Sequence, residues 1–252
     1  SGDLTNPAYA VAAGITNSII EGYLRQVGDQ PRPVPIVEEA LGGSAARTEF
    51  ENYIPGLLVI SIVMMLFTAA MRVTREVETG GIKRLELAQV NSFEYLAGVS
   101  GVQVLVGVLS VLITSLTAVA LGFHSQGPIL AALLVAVLTS FSVIGVGLMV
   151  AAFSRTTLDA FLIANFPMFL LMFFSGGVFP LPRVALFSIA GRTFALFDIL
   201  PQTHAVLALN KVITLGASLY EVAFEVLAML VLSALYFFLG VWLFNQRILK
   251  RE

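Results

Sequence analysis

Five long runs without a single charged residue, 55–71, 95–123, 129–153, 160–179 and 226–244, constrain this chain more than any other feature of its sequence. A helix crosses the roughly 30 Å hydrocarbon layer of a bilayer with about 17–25 apolar residues, and each run comes close to or exceeds that length. The second run would be about 43 Å long at ~1.5 Å per residue, so it must tilt or project from the bilayer. The short alternating segments of a β-barrel are absent. Composition agrees: 58% of the residues are hydrophobic and 12% charged, about half the charge of a soluble domain. That excludes a soluble globule, a disordered chain, a collagen and a coiled coil. The expected fold is an all-α polytopic membrane protein with spans at about 55–71, 95–123, 129–153, 160–179 and 222–244.

Orientation follows from Lys and Arg, which favour the cytosolic side. The connections 72–94, 154–159 and 245–252 carry Arg72, Arg75, Lys83, Arg84, Arg155, Arg247, Lys250 and Arg251. The much longer stretches 1–54, 124–128 and 180–225 carry only Arg25, Arg32, Arg47, Arg183, Arg192 and Lys211. The first set is therefore placed in the cytosol with the C-terminus, and 1–54 outside. Tyr53, Tyr95, Tyr220 and Trp242 at span ends suit the interfacial aromatic belt.

Residues 1–54 read as a helix opened at Asn6-Pro7-Ala8 and stopped near Gly28, then a polyproline-type connector at Gln30-Pro31-Arg32-Pro33-Val34-Pro35. This is too little for an independent core. The sequence is expected to be the C-terminal part of a longer chain with at least one further span upstream. Between the last two spans, 180–221 is apolar but punctuated by Pro180, Pro182 and Pro201. Its pieces are too short to span, so 180–215, with His204, reads as a re-entrant or interfacial region roofing the outer end.

The chemistry of the chain is mostly defined by what is missing. Phosphate-binding GxxxxGK[ST], GxSxG and HExxH patterns do not occur. Without cysteine there is no disulfide, thiol nucleophile or iron–sulfur site. His124 and His204 are the only imidazoles and stand far apart in the sequence, so no metal pattern forms. Net charge of −2 supplies no basic field for nucleic acid. Ser188, Asp198 and His204 could be combined as a hydrolase triad, a weak reading among many serines. Glu221 and Glu225, at the start of the last span, are either solvated acids favoured by the helix dipole or proton-coupling groups. The spans themselves hold no acid or base, which disfavours an ion-coupled carrier. Their polar groups are uncharged. Ser100, Gln103, Gly107, Ser110, Thr114 and Thr117 share one face of the second span, as packing glue or as a path lining. Gln103, Ser110, Thr114 and Asn165 are the candidate path residues, although Asn165 beside Pro167 also suits a kink.

The densest cytosolic feature is 72–94. Arg72 with Glu76, and Arg75 with Glu78, have ion-pair spacing, which predicts that the first span continues as a helix into the cytosol. Gly80-Gly81 should break it. A short helix over 82–89 would present Ile82, Leu85 and Leu87 among Lys83, Arg84 and Glu86. Asn91-Ser92-Phe93-Glu94 would then cap the next helix. Four acids and four bases share these residues. A topology anchor would be basic, whereas balanced charge around an apolar centre suits a protein partner.

In the order and spacing of its motifs the sequence resembles the ABC type-2 exporter permeases. The resemblance rests on Asn52-Tyr53-Ile54-Pro55-Gly56, Arg75-Glu76-Val77-Glu78-Thr79-Gly80 and Phe93-Glu94-Tyr95. It continues in Ser175-Gly176-Gly177-Val178-Phe179-Pro180-Leu181-Pro182 and Leu200-Pro201-Gln202-Thr203-His204-Ala205. Asp3 and Asn6-Pro7-Ala8 are similar to the end of an external domain found in one branch. Gly81, Lys83, Gln89 and Lys211 depart from the usual residues. The resemblance implies a six-span permease whose first span and most of whose external domain precede Ser1. It further implies dimerisation with an identical or related permease and a cytosolic ATP-binding cassette partner. This chain would hold no cofactor; ATP and Mg would sit on that ATPase. Arg75, Glu76, Glu78, Gly80, Arg84, Leu85 and Glu86 would form the coupling surface. The expected function is the membrane subunit of an exporter for a hydrophobic or amphipathic substrate, in a plasma membrane of the bacterial or archaeal inner type. The alternatives are a membrane scaffold that moves nothing and, less well supported, an ion-coupled carrier.

Overall fold

The computed structural model describes residues 15–16, 18–20, 22–23, 49–81, 92–179, 184–189, 192–218 and 220–249. The expected N-terminal helix and proline connector therefore lie largely outside the described residues, as do Pro180, Pro182, Arg84, Leu85 and Glu86. The helices are α1 (Glu49–Val63), α2 (Met65–Glu78), α3 (Ser92–Ala120), α4 (Ile129–Phe153), α5 (Thr157–Phe173), α6 (Pro201–Leu209) and α7 (Ala223–Phe244). Met64 between α1 and α2 keeps helical dihedrals, and its N–H donates to the Ile60 carbonyl at 3.0 Å, so the two run on as one rod.

Among the described residues, four helices are long and apolar enough to cross a membrane: the rod from Tyr53 to Glu78, Glu94–Ala120, Ile129–Phe153 and Ala223–Ile248. The fifth expected span, 160–179, is organised differently. α5 begins earlier and ends at Phe173, a length of about 25 Å at ~1.5 Å per residue. Its early start has a local cause: Thr156 caps the helix, its hydroxyl accepting the Asp159 N–H at 3.1 Å while the Asp159 carboxylate accepts the Thr156 N–H at 3.1 Å. Its early stop is a turn through Ser175 and Gly176, whose φ of +79° favours glycine.

α4 is the hub. It packs most extensively against α7 and also touches the rod and α3, and its residues from Ser142 to Leu148 are buried without interruption. Backbones approach closely at glycines, the usual way membrane helices gain contact when lipid is as apolar as leucine. A Cβ on Gly240 would overlap the Gly145 carbonyl, and a Cβ on Gly147 would crowd Ala69. Outward, α3 shows Leu105, Leu109, Ile113 and Leu116, and α7 shows Leu227, Leu230, Leu235 and Phe238, all exposed. In water such faces would be a liability; in a bilayer they are the solvated surface.

The polar face of α3 does not act as one unit. Ser100, Gln103 and Gly107 are buried, Ser110 and Thr114 half-buried, and Thr117 exposed. Spacing of 3-4-3-4-3 averages less than the 3.6 residues of a turn, so the stripe rotates by about 100° between Ser100 and Thr117. Thr114 and Thr117 bond the carbonyls of Ser110 and Ile113 in their own helix, at 2.8 and 2.9 Å, rather than a neighbouring helix. The same habit holds for Thr139, Ser140 and Ser154.

The described residues are mostly helical, as expected of an all-α membrane protein, with one short ribbon: β1 (Ala185–Ile189) pairs antiparallel with β2 (Arg192–Ala195), followed by a single 3-10 turn over Leu196–Ile199. Both segments are rich in aromatic and branched residues that fit a pleated ribbon better than a helix. Phe197 stacks on Phe174 at 4.8 Å, and Phe194 meets Phe224 edge-on at 6.2 Å, which ties the ribbon to the end of α5 and the start of α7.

Candidate functional site

α4 and α7 run parallel: Phe141 meets Phe237 at 5.7 Å, Gly145 meets Gly240, and the Arg247 guanidinium lies 4.0 Å over the Phe153 ring. The ends of α4 and α7 thus share one end of the bundle with the end of α2 and the start of α5, where Glu78 meets Thr157. The segment 174–222 accordingly leaves from and returns to the opposite end.

At the first end, α2 outlasts its apolar run by seven residues, putting Glu78 about 10 Å beyond Met71. It stops where the sequence has Gly80, at φ +70°, with the Gly80 N–H donating to the Val77 carbonyl at 3.1 Å and the Thr79 N–H to the Arg75 carbonyl at 2.9 Å. Arg75 and Glu78 are exposed, Glu76 half-buried. Neither ion pair expected from the spacing forms among the described residues. Glu78 instead accepts two hydrogen bonds from Thr157, from its N–H at 2.8 Å and its hydroxyl at 2.6 Å. Thr157 opens α5, where unpaired N–H groups and the helix dipole favour an anion. The side-chain and backbone hydrogen bonds from Thr157, with a smaller contribution from the Arg75 charge, hold the Glu78 carboxyl below the usual carboxylate range. Asp159 accepts the neighbouring N–H groups of Arg155 and Thr156, at 3.2 and 3.1 Å. Two carboxylates therefore close the same helix start, one local and one 79 residues away in sequence.

At the opposite end, three of the sequence motifs converge. A Cβ on Gly56 would overlap the Gly177 carbonyl, and a Cβ on Gly177 would sit 3.4 Å from Val206. The Gln202 side chain donates to the Ser142 hydroxyl at 2.9 Å. Ser142 is 13 residues into α4, about 20 Å from its start, so α6 begins beside the middle of α4. From there the chain returns towards the connection after α3: the Gln126 N–H donates to the Ile213 carbonyl at 2.9 Å, and Gly127 packs on the Val212 backbone. The helix closes on a π turn over Asn210–Thr214, where Lys211 binds Glu225 at 2.5 Å. Glu225 is buried, not a solvated helix-start acid; Glu221 instead accepts the Ser218 N–H at 2.7 Å.

The hydrolase triad does not form. The His204 Nε2 faces the backbone carbonyl of Asp198 at 2.9 Å, while the Asp198 carboxylate accepts the Ala195 N–H at 2.9 Å. The His204 Nδ1 and the Gln202 carbonyl oxygen are buried without a partner.

The sequence model of the family described as ABC-2 family transporter protein matches residues 4–242. The chain belongs to the ABC-2 transporter family. It is a transmembrane ABC transporter permease, the transport subunit rather than the ATPase. No curated protein and no solved structure matches it.

Placed on this permease, the candidate path residues do not gather. Gln103 is buried with its amide nitrogen unpartnered, Ser110 and Thr114 are half-buried on α3, and Asn165 is exposed on α5 with its amide on the Phe161 carbonyl at 2.7 Å. α3 packs on α1 and α4, whereas α5 packs on α2 and α4. Pro201 opens α6, and His204 lies buried in its first turn. The permease also has contacts that reading the sequence missed. Thr157 was signalled by Thr156-Thr157-Leu158-Asp159, a cap pattern just ahead of the uncharged run. Ser142 with Gln202, and Lys211 with Glu225, had no sequence signal because each pair is made by tertiary packing.

Proposed function

We propose that this ABC-2 permease is the membrane-spanning subunit of an ATP-driven exporter that moves a hydrophobic or amphipathic substrate outward. Its energy comes from a separate cytosolic ATPase, which holds ATP and Mg and docks on the loop 72–94. Family membership across residues 4–242 is the observation that carries this reading. The geometry is compatible with it: the rod reaches Glu78 as a rigid helix before the glycine stop, so the loop hangs from an element that can transmit force. The loop end, with the C-terminus, faces the cytosol. The segment 180–215 roofs the outer end, with α6 entering as far as Ser142 and turning back.

A second permease, identical or related, covers part of the exposed apolar surface. Ser110, Thr114 and Asn165 reach the surface of one chain, where such a partner completes the path; Gln103 lies within the packing. The complex sits in the plasma membrane. Solubilising the permease from its native membrane tests the reading. A cytosolic ATP-binding subunit should copurify in near-equal amount and hydrolyse ATP in a vanadate-sensitive way. Recovery of the permease with other membrane proteins and no ATPase would favour a scaffold instead.

A further inference from the structure

The Glu78–Thr157 contact joins two elements that the coupling scheme does not otherwise connect. The loop 79–91 is joined by sequence to α2 and α3, so motion of a docked ATPase has a covalent route to those two helices and none to α5. Glu78 is the last residue of α2, two positions before the Gly80 turn. Its carboxylate takes both polar hydrogens of Thr157 at the start of α5. Higher in the bundle the same two helices touch again, Phe67 against Phe161 at 5.1 Å. Two contacts at different heights fix the direction of α5 relative to α2, not only its distance. At its other end α5 runs into Gly177, which packs on Gly56 of α1 and near Val206 of α6.

We infer that Glu78 and Thr157 form a latch that makes α5 follow the coupling loop, carrying ATPase motion to the outer segment by a route separate from α3. This rests on the transporter reading above. Both are positioning residues: neither touches substrate or nucleotide. A carboxylate at a helix start is held by directional N–H and O–H donors, so it transmits displacement yet can be removed without unpacking the apolar core.

The chain has no cysteine, so labels can be placed without background. In the complex with its copurified ATPase, spin labels on Phe166→Cys of α5 and Leu230→Cys of α7, both exposed, would report the distance between the helices. The expected result is a change in that distance when the unaltered loop is trapped with Mg-ATP and vanadate. The change should be lost in Glu78→Ala and reduced in Thr157→Val, which removes the hydroxyl donor but keeps the backbone N–H. In Thr157→Val, outside the docking loop, the ATPase should stay bound and hydrolysing. The double variant should lose no more than Glu78→Ala alone, which already removes both hydrogen bonds. Thr157→Ser, which keeps the hydroxyl and the N–H, should retain the change. A full distance change in Glu78→Ala would overturn the latch, as would no response before any latch substitution. Loss of ATPase binding in Thr157→Val would also overturn it, by making the start of α5 a docking contact. If the permease carries no ATPase at all, the transporter reading itself fails.

Discussion

Replacing Gly240 with Leu should prevent the bundle from assembling. A Cβ at this position would overlap the Gly145 carbonyl and crowd the Gly145 Cα, so the clash is with backbone rather than with a side chain that can swing aside. The crossing belongs to the α4–α7 pair, the most extensive contact between described helices. Overpacking usually costs about 1–3 kcal/mol when neighbours can give. Here the helix axes must separate, which removes van der Waals contact along their whole length, the main force holding membrane helices together. The expected loss is on the order of the roughly 5–15 kcal/mol that keeps a domain folded. Gly145→Leu should behave alike, since the two residues face each other. Leu239→Ala, on an exposed position beside Gly240, should leave the yield of monodisperse protein unchanged. Equal yields for Gly240→Leu and the unaltered chain would show that the helices do not meet at this crossing.

Replacing Leu85 with Asp should abolish transport while leaving insertion intact. Leu85 lies outside the described residues, and the prediction comes from its place between charged neighbours in a loop whose base is well defined. α2 ends in the Gly80 turn and α3 begins at Ser92, so the intervening residues join these two helices at the end of the bundle proposed to be cytosolic. An apolar residue flanked in sequence by Lys83, Arg84 and Glu86 suits an interface anchor. Burying an unpaired carboxylate at such an anchor costs on the order of several kcal/mol, and each ~1.4 kcal/mol is tenfold in affinity. ATPase binding should therefore weaken by at least a hundredfold. Alanine at Lys250 or Arg251, outside the loop, should change it little. Unchanged ATPase affinity in Leu85→Asp would make the loop a linker.

The helical membrane class and the family were legible in the sequence because both rest on long-range regularities: charge-free runs for the first, ordered motifs for the second. α4 occupies the same residues as its uncharged run. Where reading failed, the information was not local. The pairing of β1 with β2 was not legible because Leu186, Phe187 and Ile189 are apolar on both faces, which hides the alternation of a strand. The start of α5 depends on a polar cap outside the apolar run, so hydropathy places it late. Glu225 is at a helix start in sequence yet buried in the fold, since Lys211 comes back across a turn to pair with it. Glu78 had an arginine at ion-pair spacing and chose a threonine 79 residues away. Helix-surface spacing is a preference worth only about 0.2–0.5 kcal/mol, and two directed hydrogen bonds to a helix start outweigh it.

The central claim is that 72–94 is where ATP energy enters. A photo-reactive benzoylphenylalanine in place of Leu85, irradiated in intact cells, tests it most directly because no substrate need be known. The account predicts a single major adduct between the permease and a cytosolic ATP-binding subunit, and none to that subunit from the same group at Ser125 at the far end. Adducts at Leu85 only to lipid or to other membrane proteins, in cells where the permease is correctly inserted, would contradict it.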